Sequence, residues 1–222
     1  MTNTTTSSGS MPTPAPFGPD DPRAVFARAV ALAGDTIAAV GPEALTRPTP
    51  CADMDVRALL GHLVVVLRRV AAVARNEDTT AWAPVATDVA DDAWLGAWRA
   101  AAHEVQQAWT DDATLDAPIV LPWTTMTGRQ ALATYTNEVT VHTWDLARAT
   151  GQSPRLDESV VAVAYDAIRA ELPEAERGPR WAAAKQFMPA GFPWVDPFAD
   201  ATPVADDAPL VDRLAAWNGR AV

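Results

Sequence analysis

Ala131-Leu132-Ala133-Thr134-Tyr135-Thr136-Asn137-Glu138-Val139-Thr140-Val141-His142-Thr143-Trp144-Asp145-Leu146-Ala147-Arg148 contains neither Pro nor Gly and predicts an uninterrupted helix within about 128–150. At roughly 100° per residue, Ala131, Tyr135, Glu138, His142 and Asp145 share one stripe, with Val139 and Leu146 beside them. A carboxylate and an imidazole on the apolar side of a helix are costly to bury unless something pairs with them. The i, i+4 spacing of Glu138 and His142 lets both converge on one ion. Asp145, one turn further on, is placed to accept the other imidazole N–H and fix its tautomer.

A second helical pattern supplies a third ligand type. Cys51-Ala52-Asp53-Met54-Asp55-Val56-Arg57-Ala58-Leu59-Leu60-Gly61-His62-Leu63-Val64-Val65-Val66-Leu67 follows Pro48-Thr49-Pro50, with Asp53 or Asp55 as its N-cap. Val56, Leu59, Leu60, Leu63, Leu67 and Val70 mark the buried face, and His62 lies on its edge in line with Leu59 and Val66. His62, Glu138 and His142 form an N, O, N set that would leave one position open on a divalent ion, the arrangement of a catalytic site. Spacing alone also admits a plainer reading, a hydrogen-bonded core histidine and a solvated Glu/His pair. His103 is an internal control: it projects opposite the stripe of Trp94, Trp98, Ala101 and Val105 and reads as solvated, with no role.

The wider pattern predicts an all-α protein with principal helices near 22–40, 54–75, 88–109 and 128–150, then further helices near 158–172 and 210–217. The first carries Val25, Phe26, Ala29, Val30, Ala33 and Ile37 at helical spacing. Ala117-Pro118-Ile119-Val120-Leu121-Pro122-Trp123-Thr124-Thr125-Met126-Thr127-Gly128 is too Pro-rich and β-branched for a helix and suits a short extended hairpin. Residues 179–209 read as largely irregular. Their aromatics between Trp181 and Phe198 either wall a pocket over the ion or pin a long connection to the bundle. Residues 1–18, rich in Thr, Ser and Pro, read as a disordered tail with Met11 as an alternative start, and 19–222 as one domain.

Composition bounds the function. With 222 residues, 49% hydrophobic and 20% charged, the chain can bury one good core. Its 28 acidic against 17 basic residues, a net charge of −11, argue against nucleic-acid binding, which needs clustered Lys and Arg. No segment has the pattern of a membrane span or export signal. The single cysteine, Cys51, excludes an internal disulfide framework and makes a reducing cytoplasm the simplest compartment. Cys51 itself is either a reactive thiol near a helix N-terminus or a small packing residue. There is no Gly-x-Ser-x-Gly elbow and no phosphate-cradling glycine loop.

The stretches Thr49 to Leu63, Glu138-Val139-Thr140-Val141-His142-Thr143-Trp144-Asp145-Leu146-Ala147 and Ala208 to Arg220 resemble actinobacterial metal-binding proteins related to mycothiol-dependent maleylpyruvate isomerase. The resemblance spans about 23–220 and implies a DinB-like four-helix bundle with a short extended hairpin and an irregular C-terminal extension. It matches His62, Glu138 and His142 to three metal ligands, with zinc the usual ion and water the fourth ligand, and places Asp145 behind them. It further implies mycothiol as co-substrate, a small thiol and an electrophile as partners, and a cytoplasmic monomer or homodimer. Maleylpyruvate isomerase relatives carry a further C-terminal domain that contributes to the active site, whereas about 70 residues follow the Glu/His helix here. Arg220 is the nearest counterpart of their catalytic basic residue, with a surface arginine in a fraying tail as its other reading. Tyr135 reads either as a partner of a ligand or bound water, or as a core tyrosine. The expected activity is thiol transfer to, or isomerisation of, a small electrophile. A metal-dependent hydrolase and a non-enzymatic metal- or ligand-binding module are the alternatives.

Overall fold

A computed structural model describes residues 17–51, 53–121, 124–153, 156–188, 191 and 196–222. Residues 1–16 of the expected tail, the alternative start at Met11 among them, and residues 122–123 at the hairpin tip fall outside the described residues. The chain is an all-α bundle with one small hairpin. Its four long helices are α1 (Pro22–Ala38), α2 (Val56–Ala74), α3 (Trp94–Ala108) and α5 (Gly128–Thr150). Between α3 and α5 lie the single turn α4 (Ala113–Asp116) and strands β1 (Pro118–Leu121) and β2 (Thr124–Thr127), antiparallel with Ile119 opposite Met126. Helices α6 (Glu158–Glu171), α7 (Arg177–Lys185) and α8 (Leu210–Trp217) follow.

Local chemistry sets the element ends. Asp21 caps α1 ahead of Pro22, and the Asp55 carboxylate accepts from Ala58 N–H at 2.8 Å, so Asp55 is the cap of α2. Thr127 and Gln130 form a reciprocal capping box at the start of α5. Gly151, at φ 73°, ends that helix in the left-handed conformation that an L side chain resists. Helix α3 starts at Trp94, not near 88, because Asp91 and Asp92 precede an Ala93 whose φ/ψ is already non-helical.

Helix α2 packs between α3 and α5, and α1 closes the ring by touching both. Leu59, Leu63, Leu67, Val70, Trp98, Ala131, Val139 and Leu146 fill the middle. Trp98 Nε1 donates to the Val30 carbonyl and Trp109 Nε1 to the Val70 carbonyl, so both indoles are buried without an orphaned donor. The α2 stripe is wider than its periodicity predicts, since Val64, Val65, Val66, Ala71 and Ala72 are buried too. The connection 76–93 accounts for part of this by folding back over α2, where Ala86 N–H donates to the Gly61 carbonyl at 3.2 Å. A Cβ on Gly61 would sit 2.6 Å from the Ala86 oxygen, so only glycine permits that approach.

The C-terminal third departs from the sequence expectation. Residues 177–185 form a helix despite Pro179, which falls in the first turn, where a missing N–H costs nothing. Trp181 and Phe198 join Val161, Tyr165, Ile168 and Leu214 in a second apolar cluster on the outside of α5, and Trp181 Nε1 donates to the Phe198 carbonyl. These two aromatics pin the connection to α6 and α8; Phe187 is 79% exposed, and residues 189–190 and 192–195 lie outside the described set.

Candidate functional site

The facing stripes of α2 and α5 bring His62, Glu138 and His142 together. Glu138 Oε1 lies 3.0 Å from His62 Nε2 and 3.5 Å from His142 Nε2. The two imidazoles meet edge to face with centroids 4.9 Å apart. Ligand atoms of all three residues lie within 4.8 Å of one another. Two ligand atoms about 2.05 Å from one tetrahedral ion would be about 3.3 Å apart, so the donor spacing fits a shared cation.

Tautomers follow from the outer partners. His62 Nδ1 is 2.9 Å from the Pro84 carbonyl, which can only accept, so Nδ1 carries the hydrogen. His142 Nδ1 is 3.0 Å from Asp145 Oδ2 and donates likewise. In the neutral rings both Nε2 atoms therefore point bare lone pairs at a carboxylate oxygen. Three acceptors facing one another require a cation or a proton between them. Without an ion a proton serves. Burial works to lower His142, but acceptance by Asp145 and Glu138 overrides it and pushes the ring up to about 9. Burial works to raise the Glu138 carboxyl, yet hydrogen bonds from His142 and His62 hold it well below its ordinary value.

Behind His142, Asp145 is fully buried and gripped by Arg220, whose Nη2 is 2.9 Å and Nε 3.2 Å from its oxygens. Arg220 Nη1 donates to the Asn218 carbonyl at 2.7 Å. The reading of Arg220 as a fraying surface residue is thus corrected: it is 6% exposed and ion-paired. It is held there by α8, whose C-cap Asn218 exchanges amide hydrogen bonds of 2.9 and 3.2 Å with Asn137 on α5. The Asp145–Arg220 pair is internally neutral, so a divalent ion beside Glu138 would leave one net positive charge at the centre.

Glu138 is the most open of the three, its side chain 19% exposed against 12% for His62 and 5% for His142. Access from solvent therefore runs along the Glu138 side. Cys51 is half-buried with a ligand atom within 4.8 Å of those of His142 and Asp145. Burial pushes its thiol up to about 11, with Arg220 partly opposing, so at neutral pH it is a thiol and not a reactive thiolate. Tyr135 is buried one turn before Glu138. His103 is exposed, with its ring 3.0 Å from the Gln107 amide, as its position opposite the stripe predicts.

Sequence reasoning passed over Arg69. It lies on α2 seven residues after His62, and Nη2 donates to the Trp82 carbonyl at 2.9 Å. Its place seven residues after His62, two helical turns further along the same side of α2, was the available signal. The Pro84 carbonyl left none, because backbone acceptors from a loop carry no residue-type signature.

Comparison with known proteins agrees with this architecture. Two uncharacterized proteins of Mycobacterium tuberculosis, from strains CDC 1551 / Oshkosh and ATCC 25618 / H37Rv, are each 30% identical over 204 residues, covering 91% of this chain and 99% of theirs. No solved structure matches the chain. The family model for the mycothiol maleylpyruvate isomerase N-terminal domain matches residues 14–147, which include α1, α2, α3 and the Glu138/His142 pair. The chain belongs to the mycothiol maleylpyruvate isomerase N-terminal domain family.

Proposed function

We propose that this protein is a divalent-metal enzyme, with zinc as the ion, that activates a low-molecular-weight thiol such as mycothiol for transfer to, or isomerisation of, a small electrophile. His62, Glu138 and His142 are the ligands. The observation that carries this reading is the convergence of two bare Nε2 lone pairs on one carboxylate oxygen, each ring's Nδ1 being committed elsewhere. Membership of a mycothiol-related family supports a thiol as the co-substrate.

A bound ion supplies Lewis acidity, which lowers the pKa of a coordinated thiol so that a nucleophile exists at neutral pH. The chain's own residues prepare that position. Pro84 and Asp145 fix the two ring orientations, and Arg220 cancels the Asp145 charge, so the positive charge left at the centre favours an anionic fourth ligand. Leu59, Leu63 and Val139, neighbours of the ligands along α2 and α5, are buried, which favours a strong electrostatic preference there. A soluble cytoplasmic monomer or homodimer is the corresponding working state.

The test is metal content of protein purified without added metal or chelator, beside Glu138→Ala and His142→Ala variants whose folding is checked by circular dichroism. About one zinc per chain, lost in both folded variants, supports the site; thiol-dependent turnover then separates transfer from hydrolysis, which needs no thiol. Absence of metal after reconstitution refutes the enzyme reading.

A further inference from the structure

Helix α5 turns a second face away from the three candidate ligands. Trp144 stands two residues beyond His142, about 200° round the helix and so on its far side. That face borders an open cleft of about 550 Å³, where the end of α5 meets the first turns of α6 and α8. The volume falls within the range of small-molecule sites, roughly 300–1,000 Å³. Ala147, Leu156, Val161 and Leu210 give the cleft an apolar floor.

Polar groups around this floor are left unused. Trp144 is 7% exposed, and its Nε1 makes no hydrogen bond among the described residues, yet it is not sealed from solvent as the orphaned Nε1 atoms of Trp94 and Trp217 are. The small open part of this side chain therefore includes its one donor, although a buried indole normally finds an acceptor. Helix α8 begins at Pro209 with no side-chain cap, so the N–H groups of Leu210 and Val211, both lining the cleft, lack an acceptor. Arg148 lies over the Trp144 ring, 5.5 Å from its centroid, and makes no hydrogen bond or ion pair among the described residues. Glu158 and Asp212 line the same cleft and make none either. A lone anion entering here meets these two carboxylates, and a lone cation meets Arg148 and the positive end of α8. A ligand that carries both charges complements the whole set. In an α-amino acid the ammonium and the carboxylate share one carbon, and the cleft sets the acceptor Asp212 one and two residues from the donors Val211 and Leu210.

We propose that this cleft binds a small zwitterion with an apolar body, of the size and chemistry of an apolar α-amino acid, at a site separate from the candidate metal centre and independent of the metal–thiol reading. Arg148, Trp144 Nε1 and the first N–H groups of α8 donate to the carboxylate. Asp212 and Glu158 accept from the ammonium. The apolar side chain lies on Leu156, Val161 and Leu210.

The probe is L-leucine against 4-methylpentanoate, which lacks the ammonium, and 3-methylbutylamine, which lacks the carboxylate, with binding to the full chain measured by ligand-observed NMR. Zinc-loaded protein and protein treated with chelator and then dialysed are compared, because an amino acid also chelates zinc. Wild type is expected to bind leucine in both states, at least about tenfold more tightly than either analogue, the scale of a charge-assisted hydrogen bond. Asp212→Asn and Arg148→Gln alter exposed or half-exposed side chains without hydrogen bonds, and Trp144→Phe keeps an aromatic ring while removing Nε1. With melting temperatures unchanged, each of the first two is expected to weaken leucine about tenfold, and Trp144→Phe to weaken it severalfold. Absence of leucine binding overturns the proposal. So does an analogue that binds as tightly as leucine, since one charge would then suffice. Leucine binding that requires zinc, or that all three variants leave intact, overturns it by placing the ligand elsewhere. No leucine binding in a chain that sediments as a dimer, dissociated by Leu210→Asp, overturns it by assigning the cleft to a second copy.

Discussion

Replacing Arg220 with Met tests whether the buried charges are coupled as the geometry requires. The guanidinium makes three contacts with Asp145 of 2.9–3.3 Å and one of 2.7 Å with the Asn218 carbonyl, with the side chains only 7% and 0% exposed. Methionine keeps most of the stem's packing and removes the charge, leaving Asp145 buried with His142 as its remaining partner. Breaking one side of such a pair costs about 3–5 kcal/mol. Protonated His142 compensates in the metal-free chain, which puts the expected loss near ~3 kcal/mol there and higher when an ion holds the ring neutral. Urea denaturation at pH 7, with and without zinc, measures both values. Asp145→Asn and the double variant complete a cycle, in which the double variant is expected to be less destabilised than the two single losses added. A loss below about 1 kcal/mol for Arg220→Met, the range of a solvent-exposed pair, would refute the assignment of this pair to the interior.

Four further outcomes are expected. Because the His142 pKa is raised on folding, its contribution to metal-free stability is complete below about pH 6.5 and disappears as pH rises through about 9, a loss on the order of 3 kcal/mol by thermal or urea unfolding. Zinc is expected to bind more weakly as pH falls, since protons compete for the same Nε2 atoms; calorimetric titration showing the opposite trend would contradict the ligand set. Gly61→Ala pushes a methyl to within 2.6 Å of the Ala86 oxygen and 2.7 Å of Val85 Cγ1, and is expected to cost about 1–3 kcal/mol by melting together with a measurable loss of metal affinity through Pro84 and His62. Trp98→Ala, at a fully buried indole that also donates to the Val30 carbonyl, is expected to cost about 3–5 kcal/mol; a loss near zero would place Trp98 outside the core.

The long helices were legible because their signals are local. The 128–150 pattern has no breaker and ends on Gly151, and its register alone put Glu138, His142 and Asp145 on one side. His62 joined them through a second stripe, and the His142–Asp145 contact follows from i, i+3 spacing. What sequence could not supply was contact between distant segments. Arg220 reads as a tail residue until the Asn137–Asn218 amide pair is seen to hold α8 against α5. The broad burial of α2 depends partly on a connection with no regular period, and helix α7 was hidden because a proline in a first turn looks the same in sequence as one that breaks a helix.

The 76–93 connection touches α2 at three successive levels: Ala86 on the Gly61 backbone, Pro84 on the His62 ring and Trp82 on the Arg69 guanidinium. The Trp82 and Pro84 carbonyls are only two residues apart, so a shift of the connection at Arg69 is felt at the ring of His62. The orientation of that ring is therefore governed as much by the close fit at Gly61, which lets the connection lie flat against the helix, as by its own hydrogen bond.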